Sequence, residues 1–197
     1  MSPILDVVSA RFAEDENLQF MTEVALSAVA TLLIENVASC IGVIFEGQAG
    51  SNKTTVLDFL DDMKKLVYKT DEWTPAAWVT NVNNKTEDQR AQINMLPQVK
   101  NKVFVTPDLS PMFAKGQRES IKALGQMTRI MDGGGLSRSA GTTGRVDMTG
   151  NYRFTVLAAT TPIGKQGYAS MGKLGNRFLI VDSAEHRRTA EQITKQR

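Results

Sequence analysis

A chain of 197 residues with 42% hydrophobic and 22% charged content is long enough for one domain with a substantial core, and it is neither disordered nor fibrous in composition. A single cysteine, Cys40, excludes an intramolecular disulfide, and one cysteine with one histidine argues against a Cys/His zinc site and fits a reducing, cytoplasmic setting. The net charge of +2 hides an asymmetry: residues 1–110 carry 9 Lys and Arg against 15 Asp and Glu, and residues 111–197 carry 14 against 6. Either this reflects chance and solvated helix faces, or the basic half faces an anion, whether nucleic acid or the nucleotide of a neighbouring subunit.

The opening MSPILDVVSARFAEDE has no basic stretch followed by an apolar run, so it does not read as a signal peptide. Residues 17–38 predict a long, mostly buried helix. The most apolar window, ALSAVATLLIENVASCIGVIF, is broken by Glu35, Asn36 and Ser39 and reads as a helix running into a strand, not as a membrane span. IGVIF at 41–45 is a continuous apolar run and predicts a buried strand. After the loop GQAGSNKTT at 47–55, Val56, Leu60, Met63 and Val67 mark one helical face, with Asp58, Asp61 and Asp62 on the wet side.

AAWVT at 76–80 predicts a second strand, KTEDQRAQINML a helix, and KVFVT at 102–106 a third strand closed by Pro107. Ile121, Leu124, Thr128 and Met131 mark a further helix, stopped by Gly133, Gly134 and Gly135. LSRSAGTTGRVDMTGNYR at 136–153 reads as two short strands around a glycine-containing turn. FTVLAA at 154–159 and RFLIVD at 177–182 are core strands, and HRRTAEQITKQR begins a last helix. Strands alternating with helices imply an α/β fold of three layers around a mainly parallel five-stranded sheet. The expected organisation is a helical region at 1–40, a nucleotide-binding domain at 41–185, and a terminal helix or the start of a lid at 186–197.

The loop is the chemical signal. Gly47, Lys53 and Thr54 stand at Walker A spacing, and Asn52 replaces the second glycine of that pattern. A strand, a glycine-rich loop and a helix present backbone N–H groups to phosphate. Lys53 would reach the β and γ phosphates and the Thr54 hydroxyl would sit on Mg²⁺. Asn is the mildest replacement where a positive φ is needed, at the cost of a side chain near the phosphates. The alternative is a glycine-rich turn without a ligand.

With these motifs, roughly residues 20–185 resemble an AAA+ P-loop ATPase module, nearest to helicase-type members of the MCM-like and enhancer-binding branches. The resemblance implies ATP and Mg²⁺ held by Gly47, Gln48, Ala49, Gly50, Ser51, Asn52, Lys53, Thr54 and Thr55. KVFVTPDLS resembles Walker B, but the family's Asp-Glu is reduced to Asp108, 55 residues after Lys53. Asp108 would hold the metal with Thr54 or replace the Glu; the plain alternative is a helix N-cap. FTVLAATTP resembles the sensor 1 strand, so Thr160 or Thr161 would meet the γ-phosphate or orient water.

MGKLGNRFLIVD resembles the segment that carries an arginine finger, which would make Arg177 act on a neighbour's nucleotide in a homo-oligomeric ring, a hexamer among the candidates. The 136–153 segment resembles a pore hairpin, so Arg138, Arg145 and Arg153 would meet nucleic acid, DNA among the candidates. Each of these residues also has a plainer reading as a surface or strand-end side chain. The helical lid of the family is not evident in the stretch after 182.

The function implied is an ATP-hydrolysing module of an oligomeric, nucleic-acid-acting motor. The alternatives are a hydrolysis-poor nucleotide switch or assembly module, favoured by Asn52 and the missing Glu, and then a small-molecule P-loop kinase. Thiol, serine-triad and metallohydrolase mechanisms find no support, since His186 is the only histidine.

Overall fold

A computed structural model describes residues 6, 10, 15–35, 40–80, 85–140, 144–175 and 177–183. Asp15 opens the helix α1 (Glu16–Ala30) by accepting the Leu18 N–H at 2.9 Å. The helix ends well before residue 38. Thr31 turns its hydroxyl onto the Ala28 carbonyl at 2.6 Å, and one 3-10 turn follows at Thr31–Leu33. The guanidinium of Arg153 then takes the Thr31 and Ile34 carbonyls, each at 3.0 Å. These contacts satisfy carbonyls that the helix end leaves without intrahelical partners. Residues 36–38 of the expected helix lie outside the described residues.

The central sheet is parallel throughout and contains β1 (Gly42–Glu46), β2 (Val67–Lys69), β3 (Lys102–Thr106), β6 (Phe154–Thr160) and β7 (Phe178–Asp182), in the order β2-β3-β6-β1-β7. A separate antiparallel hairpin joins β4 (Gly135–Ala140) to β5 (Gly144–Thr149). Its turn, 141–143, lies outside the described residues. β1 is buried at every position because it is sandwiched between two strands and covered on both faces.

Strand alternation divides the core in two. Val43 and Phe45 pack with Leu18, Met21 and Ala25 of α1 and with Val56 and Leu57 of α2 (Lys53–Asp58). Ile44, Phe104 and Val156 pack on the other face. There they meet α3 (Pro75–Trp78), α5 (Met95–Val99), α6 (Ser110–Ala114), α7 (Gln117–Arg129) and α8 (Gly164–Gly172). Between α3 and α5 lies α4 (Glu87–Ile93), opened by a reciprocal capping box of Thr86 and Gln89.

One rule explains this division. The crossover from β1 to β2 runs toward one sheet edge, and those from β2 to β3, β3 to β6 and β6 to β7 run toward the other. Crossovers of one hand that travel in opposite directions must lie on opposite faces. Accordingly α2 packs on the α1 side and the helices of the other three crossovers pack on the far side.

Two expectations about this region are corrected. The second strand is not 76–80: Pro75 at the first helical position, after an extended Thr74, starts the short helix α3. A short apolar run does not distinguish strand from helix. The helix wins because it inserts Trp78 among Trp73, Phe104 and Phe154. The strand is instead β2, so Val67 belongs to the sheet and the helix after the loop stops at Asp58. Leu60 still packs in the core through the turns that follow, while Lys69 bridges Asp58 at 2.9 Å and Asp61 at 2.8 Å.

The other strands of the central sheet fall within one residue of their expected positions. α7 widens into a π turn at Ile130–Gly134, where Gly133 has φ 85°. The expected terminal helix at 186–197 and His186 lie outside the described residues. No helix among the described residues is long and apolar enough to cross a membrane.

Phe104 is fully buried between Tyr68, both tryptophans and Phe154. Phe104→Ala is therefore expected to cost about 3–5 kcal/mol of stability in urea denaturation.

Candidate functional site

The loop after β1 leaves the carboxyl edge of the sheet at its switch point. From β1 the chain travels to one edge, and from the adjacent β6 it travels to the other, which opens a crevice between the two strand ends. The loop is pinned to both neighbours of β1. Gly47 N–H donates to the Thr160 carbonyl at 3.1 Å, and Ser183 N–H donates to the Glu46 carbonyl at 2.7 Å. Gly47 is required by close approach: a Cβ there would lie 2.0 Å from Ser183 Oγ.

Asn52 adopts φ 60°, ψ 11°, the left-handed conformation expected of the glycine it replaces. Its side chain turns toward α1, where Nδ2 donates to Asp15 Oδ2 at 2.7 Å. The side chain is thereby held against α1. The Asp15 carboxylate caps α1 with one oxygen and holds Asn52 with the other.

Lys53 folds back over the loop. Its ammonium donates to the Gly47 carbonyl (2.8 Å), the Gln48 carbonyl (2.6 Å) and Ser51 Oγ (2.9 Å). All three of its donors are engaged by dipoles, and the residue is buried. Burial pushes the ammonium below its usual range, and the charge of Asp108 partly offsets this. A desolvated cation held by neutral partners gains most from a full anion. Thr54 stands exposed in the first turn of α2 and Thr55 is half-buried. Ala49 and Gly50 form the turn at the loop tip, where Gly50 has φ 85°.

Four hydroxyls and one carboxylate gather at the ends of β3 and β6. Thr106 ends β3 with its hydroxyl buried and without a hydrogen-bond partner. Asp108 is exposed, and its Oδ1 accepts the Ser110 N–H at 2.8 Å where α6 begins. This side-chain turn lies one residue before the helix, whose N-cap position is Leu109, so Asp108 is not the helix N-cap of the plainer reading, and it stands close enough to Lys53 to act on its charge. Ser110 Oγ lies 2.9 Å from Thr161 Oγ1 and 3.4 Å from Thr160 Oγ1, and accepts the Thr161 N–H at 3.0 Å. Asp108, Thr160 and Thr161 are thus brought to one edge with the loop. Among the described residues no cluster of three metal-ligating side chains forms. Nucleotide-borne Mg²⁺ needs only one or two protein oxygens, however, and Thr54 and Asp108 are of the right chemistry.

The arginines do not join this site. Arg177 precedes β7, and its carbonyl accepts the Gly42 N–H at 2.9 Å, at the amino end of β1. Five residues of strand, roughly 16 Å, separate that end from the loop. Its guanidinium pairs with Asp132 at 2.6 Å. The neighbouring Asn176 lies outside the described residues. Arg138 donates to the Val79 carbonyl at 3.0 Å, and Arg145 pairs with Asp147 at 2.7 Å on its own strand. Arg153 leaves the hairpin group altogether, since it ties the 3-10 turn after α1 to the start of β6.

Asp15 and Ser183 brace the loop, and Glu46 and Ser110 brace the turn after β6, without belonging to the loop motif. Ser110-Pro111 carries a helix-start signal, but nothing local marks the other three as partners of residues far along the chain. No protein-family model matches the chain, and no curated protein matches it.

Two outcomes test this geometry. Asn52→Gly keeps the backbone conformation but loses the Asp15 contact, and Asn52→Ala loses both. Urea denaturation is expected to show losses of about 1 and about 2 kcal/mol respectively. Tyr168 is pushed up to about 12 from 10.0, first by its hydrogen bond to Glu46, then by burial and the charges of Glu46 and Asp182. The unfolded chain loses this proton first, so the contribution is present below pH 10 and disappears toward pH 12. The stability advantage of wild type over Tyr168→Phe should shrink across that window.

Proposed function

We propose that this chain is an ATP-binding module of AAA+ type, with Mg²⁺ carried on the nucleotide. The observation that carries this reading is the loop. A left-handed Asn52 stands at the glycine position, followed by a buried Lys53 whose ammonium covers the loop carbonyls, at the switch point of a parallel sheet. A Cβ at Gly47 would strike Ser183, so this glycine is required by the packing of the loop against the end of β7. Gln48 to Ser51 would contribute backbone to the phosphates, and Thr54 with Asp108 would contribute oxygens to the metal. A reducing, cytoplasmic location accords with the buried free thiol of Cys40.

Within this reading the end of β3 favours the hydrolysis-poor switch over the fast motor. Thr106 occupies the strand end where a metal-binding carboxylate is sought, and Asp108 is engaged in the turn that starts α6. The motor reading keeps the exposed hairpin, with Arg138 and Arg145 facing a nucleic-acid backbone. It also keeps Arg177 as a finger exchanged between copies in a ring. Support for the finger is its distance from its own loop, because a guanidinium at the far end of β1 is of no use to that nucleotide.

Titration with a fluorescent ATP analogue and Mg²⁺ tests the binding site. Wild type should bind, and Lys53→Ala should lose about 10- to 100-fold in affinity while circular dichroism shows the fold intact. Equal binding by this variant would remove the phosphate-site reading. ATPase rates with and without single-stranded DNA, together with light scattering under saturating nucleotide, separate the two forms. A slow, DNA-indifferent rate supports the switch; a DNA-stimulated oligomer supports the motor.

A further inference from the structure

Glu46, the last residue of β1, is a buried carboxylate that no loop motif accounts for. Strand alternation places it on the Ile44 face, and its register partners are Thr160 on β6 and Asp182 on β7. Oε1 accepts the Ile163 N–H at 2.8 Å, and Oε2 accepts the Tyr168 hydroxyl of α8. The tyrosine ring is half-exposed while its hydroxyl reaches inward to this carboxylate.

The turn from Thr160 to Ile163 is therefore held at three points. Gly47 N–H holds the Thr160 carbonyl, Ser110 Oγ holds the Thr161 N–H, and Glu46 holds the Ile163 N–H. The Thr160 and Thr161 hydroxyls are fixed as a consequence, both beside Ser110 Oγ. Ser110 is two residues from Asp108, whose charge acts on Lys53. On the phosphate-site reading a loop lysine of this kind works on the β and γ phosphates, which would put this platform of hydroxyls on the side of the terminal phosphate.

We infer that Glu46 is a positioning residue which, with Tyr168, sets the Thr160–Ile163 turn to distinguish a nucleoside triphosphate from a diphosphate. Glu46 makes no contact with nucleotide. It is the placement of its two acceptor oxygens, not a proton transfer, that acts. The inference rests on the phosphate-site reading above and deepens it.

The test compares affinities of the full chain for Mg²⁺ with a non-hydrolysable ATP analogue and for Mg²⁺ with ADP, so that hydrolysis is irrelevant. Wild type should prefer the triphosphate. Tyr168→Phe should shrink that preference by about 3- to 10-fold, the worth of one lost hydrogen bond, and Glu46→Ala, which loses two, by at least as much, while ADP affinity stays within about twofold. Glu46→Gln, which still presents an acceptor to Ile163 and a polar partner to Tyr168, should restore most of it. Tyr168→Phe removes one hydroxyl from a half-exposed ring, so it remains informative if Glu46→Ala does not fold.

Equal weakening of both nucleotides would show a merely structural role and overturn the inference. So would an unchanged preference in Tyr168→Phe, a Glu46→Gln variant as impaired as Glu46→Ala, or a wild type that binds both nucleotides equally. A wild type that binds neither would instead bring down the phosphate-site reading and this inference with it.

Discussion

The junction between β1 and its loop is the constraint on which the rest of the site depends. Strand pairing does not stop at Glu46. The Gly47 N–H continues onto β6 through Thr160, and the Glu46 carbonyl continues onto the end of β7 through Ser183, which gives both its N–H and its hydroxyl. The first loop residue is thus held on both sides before the chain turns. It must turn sharply, because α2 has to bring Val56 and Leu57 onto the face that α1 covers. A positive φ at Asn52 and a residue without Cβ at Gly47 are the local consequences of that demand.

Charge follows from the same geometry. The reversal of the chain carries Lys53 into the loop it has just left, where burial removes its water. Backbone carbonyls and Ser51 replace that water with dipoles, and Ser51 in turn lies 2.8 Å from Ser183 Oγ. The result is a cation that is satisfied but not neutralised, at an edge lined by N–H groups and hydroxyls. On the proposed phosphate-site reading, binding of an anion and catalysis on it become separable. The loop would supply what binding needs, whereas the end of β3 offers a buried threonine hydroxyl and a carboxylate engaged in a turn.

The arginines illustrate how far sequence proximity differs from shared work. Arg138, Arg145 and Arg153 lie within one polar stretch and invite a common role. In the fold Arg138 reaches the Val79 carbonyl and Arg145 pairs along its own strand. Arg153 serves the end of α1, more than a hundred residues away in the chain. A guanidinium with five donors in a fixed fork suits backbone carbonyls at a helix terminus as well as it suits phosphate. Only the partner within reach decides between them.

Much of the architecture is legible in the sequence by itself. Continuous apolar runs at β1, β3 and β6 and the mixed run at β7 mark buried strands, and their alternation with helices specifies a parallel sheet. The spacing from Gly47 to Thr54 marks the loop, and Asn at the glycine position foretells a left-handed residue. These are local properties, set by side-chain period and by the steric freedom of one residue. What the tertiary structure decided are the matters that depend on partners distant in the chain. Pro75 and the tryptophan cluster made a helix of 75–78, and β2 took the sheet edge through pairing with β3. Arg153 and Thr31 ended α1, and Asp15 claimed the Asn52 side chain. Glu46, Ser110 and Ser183 gained their roles only when β6 and β7 were laid on either side of β1. A hydrogen bond is satisfied by whichever group the fold brings within about 3 Å, and that choice is not written in the residues adjacent along the chain.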